Sequence, residues 1–340
     1  MKIYRPRGVR ILTTGSYLPA RVVSNQDLMD AGAPLSVEDI LRLCGVRTRH
    51  WAGDGEATSD LAVAAARVAL AGLEPGRAID RILLGTVSPD HPSPATACLV
   101  QAALGLPPVP ACDLVAACSG FLYVLDAAAR AVDTGGEHVL AIAADVRSRY
   151  LDITDRATCA LFGDGAGAAV LGPGPAGSGL LGIGLAADGT GAGAIRVPAG
   201  GSREPASAAT VAGGRHFIRM PDGPQIYVHA VSGMLEVASA LLADLGLEFS
   251  DVALLIPHQA NLHVLRRLAW KAGLDLARVH VNVDRVGNIS GATVAVALDE
   301  ALRSGKLQAG DKVLLVAAGA GYTAGAALYE VGADLVAAVR

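Results

Sequence analysis

Residues 80–84 (DRILL) and 251–255 (DVALL) follow one pattern at a separation of 171 positions, and residues 136–140 (GEHVL) and 310–314 (GDKVL) follow another at 174. Each copy passes from polar residues into an apolar run, which predicts the start of a buried strand. Matches in the same order at a nearly constant separation indicate a duplicated domain rather than a solenoid of short repeats. The alternative is that any two αβ units look alike.

Apolar runs alternate with alanine-rich helical stretches along both copies. The predicted strands cover Ile82–Leu84, Val139–Ile142, Ala253–Ile256 and Val313–Val316, each after a helix. Their uninterrupted apolar character is typical of strands covered on both faces, so the fold class is α/β. We expect the two halves to comprise residues 1–172 and 173–340. The glycine-, alanine-, proline- and serine-rich segment 172–214 would hold the join and a surface excursion.

The composition excludes several classes of protein. Of the 340 residues, 52% are apolar and 18% are charged, which provides a sizeable core and is unlike a disordered chain. The net charge of −4, from 28 basic and 32 acidic residues, lacks the basic excess of a general nucleic-acid-binding protein. We therefore expect no nucleic acid among the partners.

The sequence also predicts no membrane association. The longest uncharged apolar stretch, Val313–Tyr329, is interrupted by glycines, and residues 1–10 contain no continuous apolar run. We expect neither a membrane span nor a signal peptide. The five cysteines are an odd number without CxxC spacing, which argues against a disulfide scaffold or a zinc site and favours a reduced, cytoplasmic setting.

Cys118 is the first candidate for chemistry, because it lies after a predicted strand and at the start of an alanine-rich helix. The helix dipole and unpaired backbone N–H groups there would favour the thiolate and lower the pKa of the thiol. The alternative is a small buried residue without a chemical role, since free cysteine is among the most buried residue types. That alternative is our interpretation of the other four cysteines, Cys44, Cys98, Cys112 and Cys159.

His258 and Asn288 are further candidates from the second copy. His258 directly follows a buried strand, at the end where open α/β sheets place ligands. Alone it could be a structural histidine, and Asn288 alone could be a helix N-cap. The duplication places Cys118 and Asn288 at matching helix starts, so all three side chains could converge on one cleft. A thiol, an imidazole and an amide donor together suit acyl transfer.

Two glycine-rich segments require a choice between functions. Gly319–Thr323 follows the last predicted strand, and its backbone N–H groups could stabilise an oxyanion. It also fits a loose dinucleotide fingerprint, but that motif needs a following helix, a second strand and a distant acidic residue, for which the residues up to Arg340 are too few. Gly163–Gly167 lacks the Lys-Ser/Thr of a phosphate-binding loop, so we expect a tight structural turn there.

With these motifs, the sequence resembles the β-ketoacyl-acyl-carrier-protein synthase III family of the thiolase superfamily, nearly end to end. The segments that carry the resemblance are Gly15–Pro19, Gly45–Arg49, Cys118–Gly120, Asp155–Arg156, Phe162–Ala166, Pro257–Asn261, Gly287–Asn288 and Gly319–Thr323. The resemblance implies a homodimer of thiolase-like, five-layer αβαβα subunits with pseudo-twofold halves. It also implies the catalytic triad Cys118, His258 and Asn288.

An oxyanion hole formed by the N–H groups of Cys118 and Ala320 follows from the same resemblance. The family usually has glycine where Ala320 stands, and alanine keeps the N–H but restricts φ.

The implied reaction is a ping-pong decarboxylative Claisen condensation. Cys118 would take the acyl group from an acyl thioester on coenzyme A or acyl carrier protein. His258 and Asn288 would then stabilise the enolate of a malonyl thioester, expected to be malonyl-ACP. No metal or redox cofactor is implied. The pathway is either fatty-acid initiation or a specialised polyketide-like or dicarboxylic-acyl route. Alternatives are acyl transfer from Cys118 to a hydroxyl or amine, and a non-catalytic relative.

The sequence departs from the family at the expected coenzyme A contacts. Asp39 and Leu43 stand where a tryptophan and an arginine commonly sandwich the adenine, and His263 replaces a second ligand arginine. An acyl carrier protein or an unusual thioester is therefore expected as donor. For carrier docking we propose the basic residues Arg266, Arg267 and Lys271, whose spacing gives them roughly one helix face. The alternative is an ordinary solvated face.

Two further departures fall in the acyl pocket. Ser93 replaces a bulky phenylalanine that often caps the acyl tunnel from the partner subunit, which would leave more room. Arg147 stands where the family usually has an aliphatic tunnel residue. A buried arginine is costly unless it is paired, so we expect it to meet a polar or carboxylated acyl chain. The alternative is a salt bridge to Asp145 or Asp152.

Overall fold

The computed structural model of the protein describes residues 1–339, whose strands alternate with helices as expected for an α/β fold. The strands are β1 Lys2–Tyr4, β2 Val9–Tyr17, β3 Arg21–Ser24, β4 Thr48–Trp51, β5 Arg81–Gly85, β6 Ala111–Leu114, β7 Val139–Val146, β8 Asp164–Pro173, β9 Leu180–Ala187, β10 Leu254–Pro257, β11 Lys312–Gly319 and β12 Thr323–Glu330.

The helices alternate with the strands along the chain. They are α1 Asn25–Asp30, α2 Val37–Cys44, α3 Thr58–Ala71, α4 Thr96–Ala103, α5 Gly120–Gly135, α6 Ala208–Ala212, α7 Gly223–Asp244, α8 Leu262–Lys271, α9 Val283–Val286, α10 Thr293–Arg303 and α11 Ala333–Ala338. Single 3₁₀ turns precede two of them, Ala117–Ser119 before α5 and Ser290–Ala292 before α10.

The two large sheets have the same topology, which establishes the pseudo-twofold duplication. The first has the strand order β2-β8-β7-β5-β6 and the second β1-β9-β12-β11-β10. In both, two antiparallel pairings are followed by a parallel one, with β2, β8, β7 and β5 equivalent to β9, β12, β11 and β10. One strand is added at an edge of each sheet: β6 in the first and β1 in the second.

Helices form three layers around the two sheets. Helix α3 packs on the outer face of the first sheet, and α7 packs on the outer face of the second. Helices α5 and α10 lie between the sheets, and each contacts strands of both. The result is the thiolase-like five-layer αβαβα arrangement that the resemblance implied. Residues of both halves, such as Leu122 in α5 and Leu298 in α10, share one continuous core.

The two 3₁₀ turns that precede α5 and α10 abut each other at the centre of the molecule. Ala117 has φ 46° and Ser290 has φ 49°, a left-handed conformation unusual for residues other than glycine. The two residues are 173 positions apart, so the position equivalent to Cys118 is Gly291 rather than Asn288. A Cβ on Gly291 would lie 2.9 Å from the Ala117 carbonyl oxygen, so only glycine allows this approach.

Most of the predicted elements are confirmed, and two expectations change. The four predicted apolar strands lie in β5, β7, β10 and β11. Gly163–Gly167 is not a turn, because residues 164–167 begin the buried strand β8. The segment 172–214 contains β9, which pairs with both β1 and β12. Strand β1 therefore joins the second sheet although it precedes the first half. The division at residue 172 stays a prediction.

Helix α7 is a long apolar segment that the sequence analysis did not single out. Its 22 residues are long and apolar enough to cross a membrane, judged by length and composition alone. In the structure it packs along β11, β12 and β9, with Met234 and Leu241 fully buried. A core helix of an αβα layer arrangement has the same composition.

Candidate active site

Cys118, His258, Asn288 and Ala320 line one cavity of about 620 Å³, although the first comes from one half and the others from the second. Arg147 also lies on its wall. Three of them follow the end of a strand, Cys118 after β6, His258 after β10 and Ala320 after β11, whereas Asn288 follows α9. The expected convergence of the three side chains on a single cleft is therefore present in the structure.

Cys118 lies one residue after the left-handed Ala117, in the 3₁₀ turn that precedes α5. Burial raises the pKa of its thiol to about 11, while the charge of Arg147 and the hydroxyl of Ser290 act in the opposite direction. This corrects the sequence-based expectation of a lowered pKa. Desolvation of the thiolate between the two packed halves outweighs the helix dipole, so Cys118 is a neutral thiol at pH 7.

Alkylation of Cys118 by iodoacetamide is expected to accelerate about tenfold per pH unit between pH 6 and 9, because only the thiolate reacts and its fraction is far from saturation. Intact-mass and peptide analysis would separate Cys118 from the exposed Cys98 and Cys112. A Cys118→Ser variant supplies the background. A rate that levels off near pH 7 would show a preformed thiolate and contradict the expectation.

His258 is held at the end of β10 with only 2% of its surface exposed. Burial lowers the pKa of its imidazole to about 3, so the ring is neutral at every pH at which the protein would work. Its Nδ1 lies 2.7 Å from the hydroxyl of Thr293, the first residue of α10. That hydroxyl also donates to the Ser290 carbonyl at 3.1 Å. Nε2 is therefore the nitrogen left for a substrate.

A Thr293→Val substitution is expected to lower kcat for a reaction that uses His258 by about tenfold, since the buried Nδ1 loses its only partner. The KM for the substrates should change little, because Thr293 does not line the cavity. Thr293→Ser, which keeps the hydroxyl, is the matched control and should retain activity. Equal loss in both variants would mean that Thr293 matters for packing rather than for orienting the imidazole.

Asn288 is oriented by the turn that follows it. Its Oδ1 accepts a hydrogen bond of 2.8 Å from the Ser290 N–H, and the side chain is 7% exposed. With the oxygen engaged, the amide NH₂ is the group left for a ligand in the cavity. The turn in which Ser290 is left-handed therefore anchors the oxygen of Asn288 and leaves its donor end free.

Gly319, the residue before Ala320, adjoins the backbone of Cys118 across the halves. A Cβ on Gly319 would lie 2.7 Å from the Cys118 nitrogen, so the end of β11 packs directly against the amide of the nucleophile. Ala320 is not among the residues 1–339 with a positive φ, so alanine fits here without left-handed strain. Alanine in place of the family's usual glycine therefore does not strain the backbone at position 320.

Of the two predicted acyl-pocket residues, Arg147 and Ser93, only Arg147 lines the cavity. Arg147 lies on the cavity wall after β7 and is 5% exposed. Ser93 is exposed and is not among the residues that line the cavity. It precedes α4, which packs against the edge strand β6. Its predicted role belongs to a partner subunit and stays a prediction.

Residues of α2 and of the segment 195–226 line the cavity, and some of them are exposed to solvent. Leu43, which replaces an adenine-contacting arginine of the family, is among them. Asp39 forms a 2.6 Å ion pair with Arg42 on its own helix, and His263 bonds to the Arg42 carbonyl at 2.9 Å. Asp39 is therefore paired within α2, and His263 links α8 to α2 through the Arg42 carbonyl.

Helix α8 starts at the cavity, where its N-cap Asn261 lies, and runs outward. Arg266, Arg267 and Lys271 are all exposed on it, which agrees with the predicted basic face. Trp270 lies among them, 68% exposed and stacked 4.3 Å from the Arg267 guanidinium. The sequence analysis missed this tryptophan, although its spacing from Arg266 places it on the same face.

Comparisons with known proteins agree with this geometry. A model of the family described as 3-oxoacyl-[acyl-carrier-protein (ACP)] synthase III matches residues 112–189, and its C-terminal counterpart matches residues 242–331. The β-ketoacyl-[acyl-carrier-protein] synthase III of Caldanaerobacter subterraneus is 45% identical over 316 residues, which are 92% of this chain and 95% of the relative.

Solved structures give the same result. The 3-oxoacyl-(acyl carrier protein) synthase III of Pseudomonas aeruginosa PAO1 superimposes with a TM-score of 0.88 at 36% identity, covering 96% of this chain and 99% of that one. The priming β-ketosynthase from the R1128 polyketide biosynthetic pathway superimposes with a TM-score of 0.86 at 33% identity, covering 98% of both chains.

A duplicated thiolase-like fold with a cysteine at the junction of its halves defines a condensing enzyme, an acyltransferase that works on thioesters. Relatives that are more than 40% identical over nearly the whole chain narrow this class to one family. The chain belongs to the β-ketoacyl-[acyl-carrier-protein] synthase III family.

Proposed function

We propose that this enzyme catalyses a ping-pong decarboxylative Claisen condensation, joining an acyl group carried on Cys118 to a malonyl thioester and giving a β-ketoacyl thioester. The observation that carries the proposal is the shared cavity of Cys118, His258 and Asn288. It brings together a nucleophile, a neutral imidazole and an amide whose donor end is free.

The first half-reaction uses the thiol and the imidazole. The Cys118 thiol is neutral, so its proton must leave as the sulfur attacks the acyl carbonyl. Nε2 of the neutral His258 can accept that proton while Nδ1–H donates to Thr293. The C–S bond to the first carrier breaks, the carrier thiolate takes up the proton and leaves, and a new thioester joins the acyl group to Cys118.

The second half-reaction uses both side-chain donors. Loss of CO₂ from the bound malonyl thioester leaves an enolate, whose oxygen carries more negative charge than the original carbonyl. Donors directed at that oxygen therefore stabilise the transition state more than the bound substrate, which is the condition for catalysis. The enolate carbon then attacks the acyl-Cys118 carbonyl, a C–C bond forms and the C–S bond to Cys118 breaks. The leaving thiolate takes up a proton from water, which restores the neutral thiol. The N–H groups of Cys118 and Ala320 would hold the oxyanion of this step.

Thr293 supports both roles of the imidazole. Its hydroxyl can accept from Nδ1–H while donating to the Ser290 carbonyl, which leaves Nε2 as a base. It can also turn its proton toward Nδ1, which leaves Nε2–H as a donor to the enolate. The Thr293 hydroxyl can thus support His258 as a proton acceptor in the first half-reaction and as a hydrogen-bond donor in the second.

Acyl carrier protein is the proposed partner for the malonyl group. The exposed Arg266, Arg267 and Lys271 on α8 present positive charge beside the cavity opening, although the chain has a net charge of −4. An acidic carrier would be attracted to such a local patch rather than to the molecule as a whole. The acyl thioester substrate is proposed to arrive on coenzyme A or on acyl carrier protein, with the carrier protein favoured by Asp39 and His263.

We further propose a homodimer formed through the edge strand β6. An unpaired edge strand exposes backbone donors and acceptors that favour pairing with another strand. Val115, which follows β6, is 78% exposed, and Cys112 within the strand is also exposed. Pairing of β6 with its copy would cover this edge and bring Ser93 into the subunit interface. Native mass spectrometry would test the dimer. We propose a cytoplasmic setting for it.

One experiment separates the condensing function from simple acyl transfer and from a non-catalytic role. The enzyme is incubated with acyl thioesters and the mass of Cys118 is measured, then malonyl-ACP is added and CO₂ is collected. Acyl-enzyme followed by CO₂ release supports condensation. Acyl-enzyme that releases no CO₂ but passes its acyl group to an added hydroxyl or amine acceptor supports the second function, and absence of acyl-enzyme supports the third. Cys118→Ser is the control for the site of modification.

A further inference from the structure

Arg147 is a buried cation whose side chain lies on the wall of the catalytic cavity. It follows β7 directly, and its backbone N–H donates to Asp164 at 2.6 Å, which fixes the start of the side chain. Only 5% of the residue is exposed. The same cavity holds Cys118, so an acyl group attached to that sulfur shares its space with the guanidinium.

The guanidinium forms no salt bridge with an acid of residues 1–339, although burial raises the pKa of the Asp145 carboxyl and the charge of Arg147 opposes that rise. No carboxylate lies within ion-pair distance of it, its side chain makes no hydrogen bond, and its buried Nε has no acceptor. Its neighbours are two aromatic rings, Tyr150 at 5.1 Å and Phe162 at 5.7 Å from the guanidinium carbon. The guanidinium makes cation–π contacts with these rings, which do not use its N–H donors.

The two acids that could have neutralised Arg147 are engaged elsewhere. Asp145 accepts from the Val87 N–H at 2.8 Å, from the hydroxyls of Thr86 and Ser88, and from the Gly291 N–H at 3.1 Å. Asp152 pairs with Arg219 at 3.2 Å. The salt bridge that was the alternative explanation of Arg147 is therefore not formed to either acid.

An unpaired buried charge is costly, and the condensation does not require a cation at this place. Most of the surrounding wall is apolar, including Ile195, Ile218 and Met220. A guanidinium held in such a wall with its donors free is suited to bind a carboxylate, with two parallel hydrogen bonds and little competition from water.

We propose that Arg147 binds the terminal carboxylate of the acyl group on Cys118, so that the starter substrate is a dicarboxylic acyl thioester. This inference rests on the proposed function, because it assumes that Cys118 carries an acyl group. The carboxylate is the anionic partner that Arg147 lacks, and the apolar wall around it would pack the methylene chain.

The test compares pairs of acyl thioesters that match in shape and differ in charge. Succinyl is paired with 4-methylpentanoyl, and glutaryl with 5-methylhexanoyl, each on coenzyme A and on acyl carrier protein. Acylation of Cys118 is followed by intact mass for the wild type, Arg147→Leu, Arg147→Lys and the control Arg149→Leu. Arg149 is the neighbouring arginine, is exposed and does not line the cavity.

In the wild type, at least one dicarboxylic group should acylate Cys118 faster than its branched-chain match. Arg147→Leu should lower the ratio of kcat/KM for that dicarboxylic group to kcat/KM for its branched-chain match about 10- to 100-fold. Loss of the charge that opposes the raised pKa of the Cys118 thiol should slow both groups alike and therefore cancels from this ratio. Arg147→Lys should keep part of the preference, because it retains the charge but not the bidentate geometry. Arg149→Leu should behave like the wild type, and acylation by the branched-chain group shows that each variant is folded.

Three results would overturn the inference while leaving the proposed function intact. These are a wild-type preference for the branched-chain groups, an equal loss for both members of a pair in Arg147→Leu, and no change in either. An equal loss would mean that Arg147 acts on the thiol instead of on the acyl chain. If no thioester acylates Cys118 in the wild type, the proposed function fails first and the inference falls with it.

Discussion

Replacing Asn288 with alanine is expected to lower malonyl-dependent CO₂ release by about 10²–10³-fold, the usual effect of removing one preorganised oxyanion donor. Acylation of Cys118 should continue at nearly its normal rate, because that step does not use the Asn288 amide. The acyl-enzyme should therefore accumulate. The division arises because the amide acts on an enolate that exists only in the second half-reaction.

Asn288→Asp is the control that isolates the donor. A carboxylate can still accept from the Ser290 N–H, as the amide oxygen does now, so the turn should keep its shape. It has no NH₂ group to offer and adds negative charge beside the enolate, so CO₂ release should be at least as low as in the alanine variant. Intact mass before and after addition of malonyl-ACP measures both steps. A variant that loses acylation and decarboxylation equally would place Asn288 outside the assigned role.

Gly319→Ala is expected to lower the rates of both half-reactions by about 10²–10³-fold, since it acts on a donor that both steps share. The added methyl would lie 2.7 Å from the Cys118 nitrogen and 3.1 Å from that of Ser119. Both neighbours are backbone atoms in the strained turn, so they cannot move aside at low cost. The amide of the nucleophile would be displaced or covered, and the oxyanion would lose its donor.

The measurement is acylation of Cys118 and CO₂ release, each compared with Gly193→Ala. Gly193 has open space where a Cβ would lie and does not line the cavity, so this variant should behave like the wild type. Thermal unfolding of both variants shows whether the fold survives. Normal acylation by a folded Gly319→Ala protein would mean that the Cys118 amide does not take part in the reaction.

The sequence predicted the parts of the fold that depend on local patterns. Strands β5, β7, β10 and β11 have continuous apolar runs, and the repeat of those runs at nearly constant separation revealed the duplication. Strand β8 was missed because its glycines resemble a turn. In the structure, Gly167 is required where a Cβ would lie 2.5 Å from the Ala295 side chain of α10. Such close packing between halves depends on long-range contacts that no local pattern contains.

The candidate site shows the same limit. Residue type and position relative to strands identified Cys118, His258 and Asn288 as candidates, but not their protonation. The pKa of Cys118 is raised because the second half buries it, and sequence position alone suggested the opposite. Thr293 was not predicted, since threonine at a helix start is a common cap and only the folded chain shows it beside the imidazole. The absence of a salt bridge to Arg147 likewise depends on the folded chain, in which Asp145 and Asp152 bond to other groups.

The contact between the two 3₁₀ turns explains why the halves differ at the position where they meet. The place that Cys118 occupies in the first copy belongs to Gly291 in the second, and any side chain there would strike the Ala117 carbonyl. Two identical copies could not both have carried a thiol at this contact. Space for the Cys118 side chain requires that the equivalent residue, Gly291, has no side chain. The two halves must therefore differ at this position if a nucleophile is to lie at the contact between them.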